Sequence, residues 1–168
     1  TRDMKEVTVW YLESRSQAEL KPASDPGGID IREAQVKQYQ FNRFLYQLVG
    51  AAWQWYDKLG WSDDQWQAYA EAENLRTWVA WSEGSPAGYF ELQMQDQGSV
   101  EICYFGLAEK FLGRRLGGYL LTEAIRKAWD WGASRVWVNT CSLDHCNALS
   151  NYQTRGLSLY KTELEQRA

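Results

Sequence analysis

The sequence predicts a single α+β domain with a mixed, mostly antiparallel central sheet flanked by helices. Three strand-like segments follow one another between residues 75 and 107, and a strongly amphipathic helix then separates the third from another strand. Strands joined by short turns pair antiparallel, whereas a strand–helix–strand crossover makes its two strands parallel. A length of 168 residues, without internal repeats or linkers, fits one domain over residues 1–168.

The first half of the chain is predicted to form a strand, a loop and two helices. Its opening strand is β-branched and aromatic, and the following loop contains two prolines and two glycines. The first helix has apolar residues at helical spacing and ends at Gly50. The second begins where Ser62 and Gln65 have the spacing of a capping box. In order, these elements are Val7–Leu12, Lys21–Asp30, Glu33–Val49 and a helix from Ser62 towards Glu73.

The second half of the chain alternates strands with helices. Turn residues at Glu83–Pro86 separate two strands, which predicts a hairpin. The helix over Leu116–Trp131 has its apolar residues along one face, and Gly132 ends it. The remaining elements are strands at Leu75–Trp81, Ala87–Met94, Val100–Leu107, Val136–Thr140 and Leu157–Thr162, and a short helix at Cys146–Thr154.

Composition excludes several classes of function. The net charge of −4 argues against a non-specific nucleic-acid binder. No apolar stretch approaches the ~20 residues of a membrane span, and no charged-then-apolar leader opens the chain, which predicts no secretion signal. Three cysteines without metal-ligand spacing and a single histidine, His145, predict reduced thiols, a cytoplasmic location and no metal site. The oligomeric state stays open, with a homodimer as one alternative.

The segment from Phe111 to Gly118 has the features of an anion site. The first backbone N–H groups of a helix lack internal partners, and the helix dipole adds positive potential there. Glycines let a ligand approach the backbone closely, and arginines suit phosphate. These residues are Gly113, Gly117 and Gly118, with Arg114 and Arg115. A pyrophosphate is the expected ligand, and an ordinary strand–helix turn is the alternative. The segment matches neither a P-loop nor the dinucleotide pattern Gly-x-Gly-x-x-Gly.

The order of elements and this loop together resemble the GCN5-related N-acetyltransferase (GNAT) family, over most of the chain. That family carries Gln/Arg-x-x-Gly-x-Gly/Ala between its fourth strand and third helix. In this sequence the pattern falls on Leu112–Gly117. Gly117 matches the second glycine, whereas Leu112 stands in place of Gln or Arg and Arg115 in place of the first glycine.

A second stretch also resembles the family, in its pattern Asn-x-x-Ala-x-x-x-Tyr-x-x-x-Gly-Phe. Ala148, Tyr152 and Gly156 fall in register with this pattern. His145 occupies the position of the asparagine, and Leu157 that of the phenylalanine. The two stretches lie about forty residues apart, with a helix and a strand between them.

The resemblance implies the acyl-CoA N-acyltransferase fold, with acetyl-CoA as co-substrate between two splayed strands, Val100–Leu107 and Val136–Thr140. It implies an acetyltransferase that acts on a primary amine of a small molecule or peptide by direct attack. The implied cofactor contacts are Phe105, Gly106 and Leu107 for the acetyl group and pantetheine, Leu112, Gly113, Arg114, Arg115, Leu116, Gly117 and Gly118 for the pyrophosphate, and His145.

The resemblance also implies two catalytic residues. Tyr152 is the candidate acid for the leaving thiolate, because a tyrosine with a pKa near 10 stays protonated at neutral pH. Glu101 is the candidate base, directly or through a water chain. The alternatives are a packing tyrosine and an exposed strand glutamate. His145 as base and an acetyl-cysteine at Cys146 are two further, weaker candidates.

The acceptor pocket is expected between about Asp25 and Trp66, where an aromatic cage for a cationic amine is one hypothesis. Its rings would be Trp53, Trp55, Tyr56, Trp61 and Trp66, and core packing is the alternative for most of these tryptophans. Two other functions stay open. One is transfer of a longer acyl group, and the other is a non-catalytic module that binds acyl-CoA.

Overall fold

A computed structural model describes residues 4–167 as one mixed sheet with helices on both faces. The strands are β1 (Lys5–Ser14), β2 (Asp30–Glu33), β3 (Leu75–Ser82), β4 (Ser85–Met94), β5 (Ser99–Leu107), β6 (Arg135–Cys141) and β7 (Ser158–Arg167). The helices are α1 (Tyr39–Gly50), α2 (Asp63–Ala70), α3 (Leu116–Asp130) and α4 (Ala148–Thr154). Within this range the strand order is β2-β3-β4-β5-β6-β1-β7.

The centre of the sheet follows the sequence prediction. Strands β3, β4 and β5 form an antiparallel meander, and α3 returns the chain so that β6 lies parallel to β5. The parallel pairing runs from Ser99–Arg135 to Glu101–Trp137, and the two strands separate beyond it. A cleft between two parallel strands is therefore built into the middle of the sheet.

The position of β1 is the least expected feature of the topology. This strand lies between β6 and β7 and pairs antiparallel with both. Val7, Val9 and Leu12 are buried in it, which is why an N-terminal strand occupies an interior place in the sheet.

Two apolar clusters hold the layers together. On one face, α3 buries its stripe of Leu120, Leu121, Ala124 and Ile125 against β4, β5 and β6. On the other face, Leu45 and Val49 of α1 pack on Val79 and Tyr89. The sheet is thus covered on both faces, and the cleft opens between the two helical layers.

The predicted helix from Glu33 to Val49 is wrong in its first part. Glu33 ends β2, where it pairs with Trp78, and the Ala34 N–H donates to the Thr77 carbonyl at 2.9 Å. Helix α1 begins only at Tyr39, and Val36, which the periodicity included, is 78% exposed. Edge pairing with β3 therefore overrides the helical pattern of this segment.

Three other predicted boundaries also move. Helix α2 ends at Ala70 rather than near Glu73. Helix α4 begins at Ala148, because residues 145–147 form a turn in which the Asn147 N–H donates to His145 Nδ1 at 3.0 Å. The last strand continues to Arg167, where its polar residues pair with β1 across the sheet. The capping box at Ser62 and Gln65 is present as predicted.

Candidate functional site

A cavity of about 1090 Å³ occupies the gap between β5 and β6. Its lining comes from the separated halves of both strands, from the start of α3, from α4 and from the loop after α1. Beyond Glu101 the β5 backbone lacks ladder partners on the β6 side, so its polar groups are available to a ligand. The cavity therefore brings together five parts of the chain, namely β5, β6, the start of α3, α4 and the loop after α1.

One end of the cavity lies at the first turn of α3. Leu112, Gly113, Arg115, Leu116, Gly117 and Gly118 all line it. A Cβ on Gly113 would meet no atom within 4 Å, and one on Gly117 would lie 3.7 Å from Asn151 Nδ2. Open space thus lies beside the unpartnered N–H groups of a 15-residue helix. These residues fit an anionic group of diphosphate size.

The two arginines of this loop differ in their placement. Arg115 lines the cavity and adopts φ 60° and ψ 28°, in the left-handed region. That conformation explains why glycine is the usual residue at this position of the motif. The Arg114 guanidinium instead lies over the Phe111 ring, 5.0 Å from its centroid. Arg115 is therefore the arginine of this pair that lines the cavity.

Gly118 has a packing role in addition to its place in the lining. A Cβ there would lie 3.2 Å from the Cβ of Ala23 and 3.6 Å from Arg155 Nη1. Close to it, Asn151 Nδ2 donates to the Gly117 carbonyl at 3.3 Å and ties α4 to the start of α3. The glycines thus let the loop after β1 and the helix α4 approach α3 closely.

The middle of the cavity is lined by Phe105, Gly106 and Leu107 of β5, and by Tyr152 of α4. The Tyr152 ring lies 6.0 Å from that of Phe105, and the residue is only 6% exposed. Burial raises the pKa of Tyr152 well above its ordinary value, so that its phenol is protonated across the physiological range. A protonated donor therefore faces the cleft at this point.

His145 lies at the edge of the same cleft. Its Nδ1 accepts the Asn147 N–H, and its ring packs edge-on against Trp53, with centroids 4.9 Å apart. These contacts cap the turn before α4 and join it to the loop after α1. His145 also lines the cavity, as the sequence motif had suggested for a cofactor contact.

Glu101 lines the cavity and has a defined orientation. Its Oε1 accepts a hydrogen bond from Gln95 Nε2 at 2.9 Å, and Gln95 Oε1 accepts one from Trp137 Nε1 at 3.1 Å. Burial raises the pKa of Glu101, against the opposing effect of the Gln95 hydrogen bond. No pattern in the sequence indicates Gln95 and Trp137 as partners of Glu101, because only the pairing of β4, β5 and β6 brings the three side chains together.

The other end of the cavity is aromatic and includes Trp53, Trp55 and Tyr56. The remaining tryptophans of the hypothesised cage have other surroundings. Trp66 is buried in the core, and Trp61 lies under Lys58 Nζ at 4.3 Å. Lys58 itself occupies the space between the rings of Trp61, Tyr69 and Tyr104. A cage of aromatic rings exists here, and a lysine of the same chain fills it.

Asp57 organises the polar groups around that lysine. Its carboxylate accepts hydrogen bonds from Tyr104, from Tyr46 at 3.0 Å and from Lys58 at 3.3 Å. Although burial alone would raise the pKa of Asp57, these donors and the lysine charge lower it. Asp57 is therefore ionised at neutral pH and holds Tyr104 and Lys58 in place.

A second buried carboxyl group lies behind this end of the cavity. Glu91 is 1% exposed and accepts hydrogen bonds from Asn42 Nδ2 at 2.8 Å and from Tyr69 at 2.7 Å. Burial raises its pKa above the ordinary value of a glutamate. The network fixes Tyr69 in the cavity lining and was not foreseen from the sequence.

Residues 4–167 contain neither a metal-ligand cluster nor a membrane-crossing helix. No group of three or more His, Cys, Asp or Glu side chains lies together as a metal site in this range. None of the helices described there has the length and apolarity that a membrane crossing requires.

The mixed sheet that separates around a cavity, with a glycine-containing helix start at one end, is the arrangement that the resemblance to the GNAT family implies. The model of the Acetyltransferase (GNAT) family matches residues 35–157. The chain therefore belongs to the GNAT family of acetyltransferases.

Solved structures of GNAT proteins share this fold. A GCN5-related N-acetyltransferase from Sphaerobacter thermophilus is 16% identical with a TM-score of 0.75, over 98% of this chain and 52% of that one. One from Kribbella flavida is 17% identical with a TM-score of 0.69, over 97% and 59%. A tandem GNAT protein from the clavulanic acid biosynthesis pathway is 13% identical with a TM-score of 0.64, over 99% and 54%.

At these identities the likeness shows the shared fold. The chain spans 52–59% of the length of these three solved chains. Among curated proteins no significant match was found.

Proposed function

We propose that this protein is an N-acetyltransferase that moves the acetyl group of acetyl-CoA to a primary amine of a small molecule or peptide. The observation that carries the proposal is the cavity between the separated strands β5 and β6. Its lining combines the first turn of α3, Glu101 and Tyr152 with the aromatic residues Trp53, Trp55 and Tyr56. Membership of the GNAT family supports acyl transfer as the reaction class.

Backbone groups, together with the Arg115 side chain, bind the co-substrate. The first turn of α3 and Arg115 hold the diphosphate of the co-substrate. Phe105, Gly106 and Leu107 contact its pantetheine arm and acyl group. A backbone N–H in this segment donates to the oxygen on which negative charge develops during acyl transfer. Acetyl-CoA itself supplies the thioester as an activated acyl donor.

Glu101 and Tyr152 move the two protons that direct attack requires. An alkyl ammonium group of pKa about 10 must lose a proton before it attacks. Glu101 accepts this proton, directly or through water, and its raised pKa makes it a stronger base than an exposed glutamate. Tyr152 donates a proton to the leaving thiolate, for which a pKa of roughly 8.5 follows by analogy with cysteine. Both side chains line the same cavity, which supports attack without an acyl-enzyme.

We also propose a cytoplasmic location. Cys103, Cys141 and Cys146 are all free thiols, and free thiols are typical of a reducing compartment.

Calorimetry with acetyl-CoA and with free CoA tests the binding step. A panel of primary amines, assayed for release of free thiol, tests the chemistry. Saturable binding together with amine-dependent thiol release supports the proposal. Binding without thiol release across the panel would favour a non-catalytic module, and absence of binding at millimolar acetyl-CoA would overturn the cofactor assignment.

Replacing Tyr152 with phenylalanine tests its role as the acid that protonates the leaving thiolate. Because this change removes only a hydroxyl group, we expect the dissociation constant for acetyl-CoA to be retained and kcat to fall by roughly 10²- to 10⁴-fold. Tyr160→Phe, on the exposed strand β7, is the matched control and should keep wild-type kcat. An unchanged kcat in Tyr152→Phe would remove Tyr152 from the mechanism.

A further inference from the structure

The indole of Trp55 lies in a slot that Gly50 creates, and its six-membered ring lies beside Gly106. A Cβ on Gly50 would lie 2.5 Å from Trp55 Cε3 and 2.7 Å from Trp55 Cβ, a separation that the structure could not accommodate. A Cβ on Gly106 would lie 3.5 Å from Trp55 Cη2 and 2.5 Å from Val49 Cγ1. The indole thus packs directly on the backbone at the end of α1. At Gly106, in the middle of β5, a Cβ would be in ordinary van der Waals contact with the ring and would clash with Val49 instead.

Three further contacts hold the ring in this slot. Trp55 Nε1 donates to Asp144 Oδ1 at 3.2 Å, and the rings of Tyr46 and Tyr104 pack beside the indole with centroids 5.9 and 5.1 Å away. The other oxygen of Asp144 accepts hydrogen bonds from Thr140 Oγ1 at 2.6 Å and from the Cys141 N–H at 3.0 Å. The indole is therefore tied to the end of β6, across the cleft from β5.

Trp55 forms part of the wall of the cavity. Trp55 and Gly106 line the same cavity, and Gly106 is the central residue of the β5 segment assigned above to the pantetheine arm and acyl group. A side chain that is packed from several sides and hydrogen-bonded does not swing away without losing those contacts. An acyl chain that extends from the thioester past Gly106 meets the six-membered ring of the indole.

We propose that Trp55 sets the length of the acyl group that the enzyme accepts, and that Asp144 is its positioning residue. The inference rests on the proposed function, because it assumes an acyl-CoA donor. It predicts that the cavity, with the Trp55 indole in its slot, accommodates an acetyl group and excludes a butyryl group. Discrimination of a single methylene by a pocket wall amounts to about 10- to 200-fold in kcat/KM.

The test compares acetyl-, propionyl-, butyryl- and hexanoyl-CoA with the amine that gives the fastest thiol release. In Trp55→Ala, the ratio of kcat/KM for butyryl-CoA to that for acetyl-CoA should rise at least about tenfold over the wild type. Asp144→Asn should give an intermediate rise, because its amide N–H₂ faces the donors Thr140 and Cys141 while its oxygen is still able to accept from Trp55. Phe44→Ala, which removes an exposed aromatic ring of α1 outside the cavity lining, is the matched control and should leave the ratio unchanged.

Calorimetry without an acceptor gives a second, independent measurement. Wild-type protein should bind butyryl-CoA at least about tenfold more weakly than acetyl-CoA, and Trp55→Leu, which keeps an apolar side chain in the slot, should narrow that difference. Equal wild-type affinities, or an unchanged ratio of kcat/KM in an active Trp55→Ala, would overturn the role of Trp55. Failure of the wild type to bind or use any acyl-CoA would instead overturn the proposed function.

Discussion

Replacement of Arg115 by glycine should change stability and co-substrate affinity in opposite directions. Arg115 is the N-cap of α3 and has φ 60° and ψ 28°. A residue with a Cβ in this region costs about 1–2 kcal/mol, whereas glycine loses about 0.5–1 kcal/mol of backbone entropy on folding. The net effect is a stabilisation of about 0.5–1 kcal/mol. For a domain of this size it corresponds to a rise in Tm of roughly 1–4 °C.

The same substitution removes a guanidinium from the rim of the cavity. A hydrogen bond to a charged group contributes about 1.5–3 kcal/mol, and the exposure of Arg115 reduces this to about 1–2 kcal/mol through solvent screening. The Kd for acetyl-CoA should therefore rise roughly 5- to 30-fold. Calorimetric titration measures this change, and differential scanning calorimetry measures the shift in Tm.

Two control variants separate the effect of backbone strain on Tm from the effect of the guanidinium charge on the Kd for acetyl-CoA. Arg115→Ala keeps the left-handed backbone with a Cβ, so it should weaken binding without raising Tm. Arg114→Ala should change the Kd little, because its guanidinium lies over Phe111. A lower Tm in Arg115→Gly would refute the strain argument, and an unchanged Kd would refute the assignment of Arg115 to the diphosphate.

Two other predictions follow from the same geometry. Because burial raises the pKa of Glu101, the acid limb of the kcat/KM profile should lie at a higher pH than for an exposed glutamate, and Glu101→Gln should abolish that limb and lower kcat by roughly 10²- to 10⁴-fold. If the acid limb of the profile persisted in Glu101→Gln, it would arise from the titration of a group other than Glu101. Gly156→Ala should destabilise the fold by about 3 kcal/mol or more, since φ is 103° and the new Cβ would lie 2.0 Å from the Glu19 carbonyl oxygen. Urea unfolding measures the loss in free energy of unfolding. A Gly156→Ala variant with wild-type stability would show that the segment around Glu19 shifts at little cost to make room for the Cβ.

The local parts of the fold were accessible from the sequence because each has a local physical cause. The hairpin at Glu83–Pro86, the capping box at Ser62 and the apolar stripe of α3 all depend on residues within a few positions of one another. The parallel pairing of β5 and β6 follows from the handedness of a crossover. Each of these predictions is confirmed by the structure.

The order of the strands depends on contacts between distant parts of the chain. Strand β1 lies between β6 and β7, and Leu12 pairs with Val138 and Leu159, more than a hundred residues away. Similarly, β2 exists because Asp30–Glu33 finds an open edge on β3, although the sequence predicts a loop up to Asp30 and a helix from Glu33. No local periodicity carries information about such partners.

For the candidate site, the sequence by itself determined that unpartnered N–H groups and glycines stand at the start of α3, because helix polarity and local composition do not depend on distant contacts. Tyr152 was indicated by its position in a motif that resembles the GNAT family. Only the tertiary structure decided that Gln95 and Trp137 orient Glu101, that Lys58 fills its own aromatic cage, and that Trp55 packs on Gly106. These contacts join side chains from separate strands and loops. Their distances are set by how the sheet separates and how the helices cover it, and those properties belong to the folded chain as a whole.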